Sequence, residues 1–231
     1  MSNVTYDLDN MTITVEGLDT VSRALGNLKS KTPAAAKVAI NATARQARKV
    51  MIMKAKARYA VNAAGQKHLK DLVQRKKATN RSLFAELHIA SLRNDLGYFK
   101  YSPKSIYTGT NVRNAPDVVK AKVLKASGMK PLTGGHGKSK GFLLEFSNGH
   151  VGMVQRVINS HVEHPKTRKG FPRWRNSMGK IEKLETMGSP SAAAMHHTIW
   201  PEAQPEVSEF LEMRLAAQVE KVLARAARRH G

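Results

Sequence analysis

Apolar and polar residues alternate with a period of two along Met11–Val15, Met-Thr-Ile-Thr-Val, which predicts a strand whose successive side chains face opposite ways. From Leu18 the period lengthens. Leu18, Val21, Leu25 and Leu28 recur every three or four residues, the pattern of a short amphipathic helix. Thr32-Pro33 then offers a cap residue and a first-turn proline, and nothing breaks the helical pattern from Ala34 to about Ala60. Ala36, Ile40, Ala44, Ala47, Met51 and Ala55 share one stripe, while Arg45, Arg48, Lys49, Lys56 and Arg58 fall mostly off it. Such small residues let another backbone come close, so this helix of roughly 25 residues is expected to be the spine of the fold.

Further along, Gln66–Val73 is expected as a short helix after an Ala63-Ala64-Gly65 break, with the basic Arg75-Lys76-Lys77 beyond it. Leu83–Ala90 is expected as a strand with Leu83, Ala85, Leu87 and Ile89 on one face, and Val118–Leu124 as another. Gly141–Phe146 and Val151–Val157 predict a hairpin around Ser147-Asn148-Gly149. Ser189-Pro190 opens a helix through Ile199 that Trp200-Pro201 ends. A last helix at 205–229 carries Val207, Leu211, Leu215, Val219, Val222 and Ala226 on one stripe. Glu202, Glu206, Glu209 and Glu212 stand at its start and Lys221, Arg225, Arg228 and Arg229 at its end, the order the helix dipole favours. Residues 100–116, 129–140 and 159–179 show no clear period. The expected class is α+β: an antiparallel or mixed β-sheet packed against long amphipathic helices, in a single domain 1–231 with an extended basic loop or arm at 159–179.

Composition narrows the range of partners. In 231 residues, 39 Lys and Arg face 17 Asp and Glu, a formal net charge of +22 that needs anions or acidic neighbours to screen it. Nucleic acid, an acidic protein ring and an anionic membrane all satisfy that balance. Between Asp19 and Asp71 there is no acidic residue and there are 12 basic ones, either a solvated helix face or a surface that meets phosphate or carboxylate. The aromatic share of 6% points to a thin core. There is no cysteine, hence no disulfide framework or thiolate metal site. Neither a leader-like opening nor a membrane-length apolar run is visible, so the expected setting is the cytoplasm, with no membrane partner.

Catalytic constellations are missing. His196 and His197 are adjacent, without the four-residue spacing that puts two ligands on one helix face, and His161 and His164 run into Pro165. Gly137-Lys138-Ser139 has the ending of a phosphate-binding loop, but Leu132 stands where its first glycine belongs and Phe142 onward reads as strand. A flexible hairpin or strand lead-in is expected there. No carboxylate pair and no nucleophile triad can be assembled. Catalytic, metal and cofactor residues are therefore expected to be none.

Several short segments, taken in order, are more specific. Glu16-Gly17-Leu18, the stretch Ala39-Ile40-Asn41-Ala42-Thr43-Ala44-Arg45-Gln46-Ala47-Arg48, Gly149-His150-Val151-Gly152-Met153 leading to Arg156-Val157, Gly179–Leu184 and Met187-Gly188-Ser189-Pro190-Ser191 resemble the prophage minor tail protein Z family across most of the chain. The match is not complete, since Ser189 separates Gly188 from Pro190. The resemblance implies a non-enzymatic tail completion protein, acting late in assembly at the head-proximal end of a phage tail. Charge and resemblance together lead to the expectation of a homo-oligomeric ring around the tail axis in the virion neck, with tail terminator, tail tube or neck adaptor proteins as partners and host cytoplasm as the site of assembly.

Arg45, Arg48, Lys49 and Lys56 on the long helix, with Lys166, Arg168, Lys169, Arg173, Trp174 and Arg175 on the loop, are the candidate surface for genomic DNA in the lumen or for an acidic neighbour. A sequence-nonspecific nucleic-acid-binding module is the alternative, with charge and the Trp174-Arg175 pair in its favour.

Overall fold

A computed structural model of the protein describes residues 2–7, 10–15, 18–89, 95–107, 119–146, 148–163 and 175–230. One domain is expected; two compact units are found, interleaved in sequence. Unit 1 holds Met1–Ala55, Leu69–Leu92 and Ala192–Gly231, and unit 2 holds Lys56–His68 and Arg93–Ser191. The mixed α and β content with small antiparallel sheets is as expected.

Unit 1 is built on a four-stranded antiparallel sheet in the order β1 (Ser2–Asp7), β2 (Asn10–Val15), β4 (Phe84–Ile89), β3 (Leu72–Lys76). The register pairs Met11 with Leu87, Ile13 with Ala85 and Leu72 with Ile89, which places all six on one buried face. On the other face Asn10 Oδ1 lies 2.9 Å from His88 Nδ1, and Lys76 lies 3.6 Å from Glu86. β1 is an addition to the expected strands.

The long helix α2 (Thr32–Arg58) follows α1 (Leu18–Leu25) and a 3-10 turn at Gly26–Lys31. The expected helix 18–28 thus tightens after Leu25, and Thr32 does not cap α2. Its φ/ψ of −51/−49 is already helical, its N–H donates to Lys29 O, and its buried Oγ1 has no hydrogen-bond partner among the described residues. Every residue of the expected apolar stripe, from Ala36 to Ala55, is buried. Polar side chains fasten α2 to β3 and the segment after it. Asn41 accepts from Ala78 N at 3.0 Å and from Gln74 Nε2 at 3.3 Å, and donates to Ala78 O at 2.9 Å.

The helix expected at 66–73 is displaced. Asn62 Oδ1 accepts the Gly65 N–H at 3.0 Å, which caps α3 (Ala63–Leu69) and puts Ala63-Ala64-Gly65 inside its first turn. Leu72 and Val73 belong to β3 instead, because Leu72 pairs with Ile89 in the sheet.

The helices expected at 189–199 and 205–229 are one helix, α4 (Ala192–His230), with Pro201 and Pro205 inside it. Each proline lacks the N–H that would have bonded the carbonyl four residues earlier. The four-residue spacing puts both prolines on one face, and both are exposed, so the missing donors fall on the wet side of the helix. Ile199, Ala203, Val207 and Leu211 are fully buried on the other side and hold the helix continuous. α4 packs against β1 and α1.

Unit 2 contains two three-stranded antiparallel sheets. One has the order β10 (Leu184–Thr186), β9 (Val151–Arg156), β8 (Phe142–Glu145), and includes the expected hairpin. The other, β5 (Lys100–Ser102), β6 (Lys120–Lys122), β7 (Lys130–Pro131), takes strands from two stretches without a clear period and shortens the strand expected at 118–124. His136 and Gly137, at φ 51° and 74°, form a two-residue turn between mutually bonded Gly135 and Lys138. This is the expected hairpin, twisted in the sense that favours glycine.

Candidate functional site

A straight α-helix advances about 100° per residue, so Arg45, Lys49 and Lys56 project within about 40° of one another on α2. They occupy the strip left over by the wide buried arc. Arg45 and Lys49 are exposed and Lys56 is half-buried, and among the described residues none of the three has a carboxylate within 4.0 Å. Exposed Val38 and Met53 flank the strip. Arg48 is different. Its Nε donates to Leu72 O at 2.6 Å and its Nη2 to Lys70 O at 3.0 Å, so it ties α2 to the entry of β3 and does not face outward as a free cation.

Of the loop residues, Lys166, Arg168, Lys169, Arg173 and Trp174 lie outside the described residues. Arg175 is exposed and donates to Gly179 O at 2.8 Å. The stem of the loop is tied. Val157 N donates to Lys183 O at 2.9 Å and Val162 N to Ile181 O at 3.0 Å, while buried Glu182 accepts from Asn159 N at 3.0 Å and Asn176 Nδ2 at 3.5 Å. Arg156 is also buried, 5.9 Å from the Phe142 ring. Burial presses its guanidinium below the usual arginine value, and the charge of Glu182 opposes that shift. Nearby, Lys138 reaches Glu185 at 2.8 Å and Lys183 reaches it at 3.1 Å. Hydrogen bonds from these two lysines, Lys138 first, hold the Glu185 carboxyl below its usual range.

The densest polar cluster was not singled out by the sequence. Buried Asp95 accepts from Gly97 N at 2.7 Å and Met153 N at 3.2 Å through Oδ1, and from His150 Nε2 at 2.5 Å through Oδ2. His150 lies between rings, with its centroid 5.0 Å from Tyr98 and 5.9 Å from Phe146, and His68 stacks on the far side of the group, 4.6 Å from Tyr98. Close approach requires glycine here. A Cβ on Gly152 would stand 2.6 Å from both Asp95 Oδ2 and Phe146 Cε2, and one on Gly97 would stand 2.8 Å from Val151 O. Leu96 N donates to Met187 O and Met187 N to Met153 O, both within 2.9 Å, so three distant segments converge on Asp95.

The chain matches no family model, no curated protein sequence and no solved structure. Chemistry must be judged from the geometry. An Asp–His pair can orient an imidazole whose other nitrogen acts on a hydroxyl, a water or a substrate, and among the described residues no side-chain hydroxyl bonds to His150 Nδ1. Within the fold the pair ties residue 95 to the segment around residue 150 as a clasp. Among the described residues no group of three or more His, Asp or Glu is placed to hold a metal ion, and no helix is long and apolar enough to cross a membrane.

The clasp also has an alkaline signature. Burial, and then the negative charge of Asp95, raise the Tyr101 phenol above its ordinary 10.0. A phenol raised by folding stabilises the native state below its unfolded value and loses that contribution as pH rises through the folded value. Stability measured by urea denaturation is therefore expected to fall above about pH 10, and Tyr101→Phe to flatten that limb while leaving pH 7 unchanged. An identical alkaline limb in the variant would refute the assignment.

Proposed function

We propose that this chain is a structural protein of a phage tail, completing the tail at its head-proximal end, where copies form a ring at the junction with the head. The observation that carries this reading is the ordered set of short segments resembling the minor tail protein Z family from Glu16 to Ser191. Geometry supports it in a second way. Four polar residues inside those segments, Asn41, Arg48, His150 and Glu182, are engaged in holding the fold together, as suits a protein that works by contact. The outward strip of Arg45, Lys49 and Lys56 supplies a face for DNA in the lumen or for an acidic neighbouring ring.

Cryo-EM of particles and isolated tails is the test of place: density for this chain is expected as a closed ring where tail meets head. Tails made without it are expected to stay unjoined. Absence of the chain from both particles would overturn the reading.

The strip is tested separately. Reversing Arg45, Lys49 and Lys56 to glutamate is expected to lower the slope of log affinity for duplex DNA against log salt by about 3, since each phosphate contact contributes close to one unit. The melting temperature is expected to stay nearly unchanged, because among the described residues these side chains make no ion pair. An unchanged salt slope would remove DNA as the partner of this face and leave an acidic protein. A strongly basic helix face with no carboxylate near it among the described residues also favours the second reading, a nucleic-acid-binding module, which gains if the slope falls and no ring is seen.

A further inference from the structure

Burial along α4 stops at Leu215. The helix continues to His230, about 22 Å further at 1.5 Å per residue, and none of its described residues there is buried. Its pattern nevertheless continues. Val219, Val222 and Ala226 prolong the apolar stripe half-buried, and Leu223 is 42% exposed beside them. Lys221, Arg225, Arg228 and Arg229 line the adjacent side, with Glu220 the one acid in this stretch. Fifteen residues of helix are marginal in water without packing, so this arm lacks a cover.

We propose that the arm docks on a second copy of the chain, along the outward face of the neighbour's α4. That face carries the complement. Glu202, Glu206 and Glu209 project within about 60° of one another around the helix, and Met213, 56% exposed, lies among them. Five of the chain's 17 acidic residues lie between 202 and 220, and four more, Asp7, Asp9, Glu16 and Asp19, precede the first basic residue. Lys54, 4.0 Å from Glu206, is a neighbouring cation that an incoming arm must displace or share with, and Glu202 likewise has a contact of its own in the fold. The arm cannot reach the acidic face of its own copy, because both belong to one continuous helix. Nucleic acid would pair with the arginines but leave the apolar stripe wet and the acidic face unused. A second copy satisfies both at once, through cation to carboxylate and Leu223 to Met213.

Such a contact is heterologous. Each copy keeps one arm and one face to offer, so repetition closes a ring or extends a chain. The inference rests on the ring of the proposed function and supplies its interface.

The test is sedentation-equilibrium analysis of the full chain at low salt, with helix content checked by circular dichroism. The parent is expected to self-associate. Lys221→Glu with Arg225→Glu is expected to weaken association at least about tenfold, and Glu206→Lys with Glu209→Lys to do the same, because each sets like charges against each other. All four changes in one chain are expected to restore association, since every arm then meets a matching face. A monomeric parent, an arm reversal without effect, or a fourfold variant that stays dissociated would overturn the proposal. Loss of DNA binding in the arm variant with self-association intact would also overturn it, in favour of nucleic acid. These readouts are independent of where the chain sits in a particle, so failure here is distinguishable from failure of the tail reading.

Discussion

Asp95→Ala is expected to destabilise the protein by about 3 kcal/mol, because it strips two buried backbone donors and an imidazole of their common acceptor. The loss exceeds that of an ordinary hydrogen bond. Gly97 and Met153 are both buried, so their N–H groups depend on the carboxylate for an acceptor. Urea denaturation followed by hydrogen exchange at the Gly97 and Met153 amides measures it. Asp95→Asn keeps one acceptor oxygen and the side-chain volume, so it is expected to lose about half as much. Equal losses for the two variants would mean that charge, and not the acceptor, is what the site uses. No loss in either would refute the clasp.

Gly65→Ala is expected to be as severe, about 3 kcal/mol, although alanine is the better helix former. A Cβ at position 65 would stand 2.1 Å from Tyr98 O and 3.0 Å from Tyr98 C, which are backbone atoms and cannot swing aside. That carbonyl is also committed, accepting the Asn62 N–H at 2.9 Å, and Asn62 Nδ2 holds Gly97 O at 2.6 Å and Phe99 O at 3.1 Å. Moving the helix away would break this set. A thermal melt compares the variant with Ala64→Gly, an exposed change one residue earlier that is expected to lose only about 1 kcal/mol through helix propensity. If Gly65→Ala proved neutral or stabilising, the close approach would be wrong.

What could be read from the sequence follows from where the physics is local. β2, β4 and α2 announced themselves because each has one wet and one buried side, which writes a period into the residues. β1 did not. Ser2–Asp7 offers only Val4 and Tyr6, and it is a strand because β2 pairs with it residue by residue. α3 starts earlier than its pattern suggests because Asn62 caps it and Gly65, often a helix breaker, sits inside its first turn. α4 was divided because a proline's missing bond is usually decisive; here both gaps face water and the buried side prevails. The outer strip of α2 was legible as charge, but the tether made by Arg48 depends on carbonyls 22 and 24 residues away. The Asp95 cluster was hidden for the same reason. Its glycines and histidine at 149–153 were noticed as a segment, yet the carboxylate they serve is more than 50 residues distant.

The interleaving of the two units bears on how the protein comes into being. A ribosome delivers residues 56–68 and 93–191 before α4 exists, so unit 2 has its whole complement of chain while unit 1 still waits for its last helix. Because α4 packs on β1, unit 1 is closed by joining the first strand to the last helix, a contact between distant parts of the chain that is slow to form. Until then the buried stripe of α4 and the inner face of the sheet are both open to aggregation. The order has a compensation. Because the surface proposed for self-assembly is carried by α4, a copy presents it only after the segments of unit 2 have been made, so the proposed association follows the folding of unit 2 in the order of synthesis.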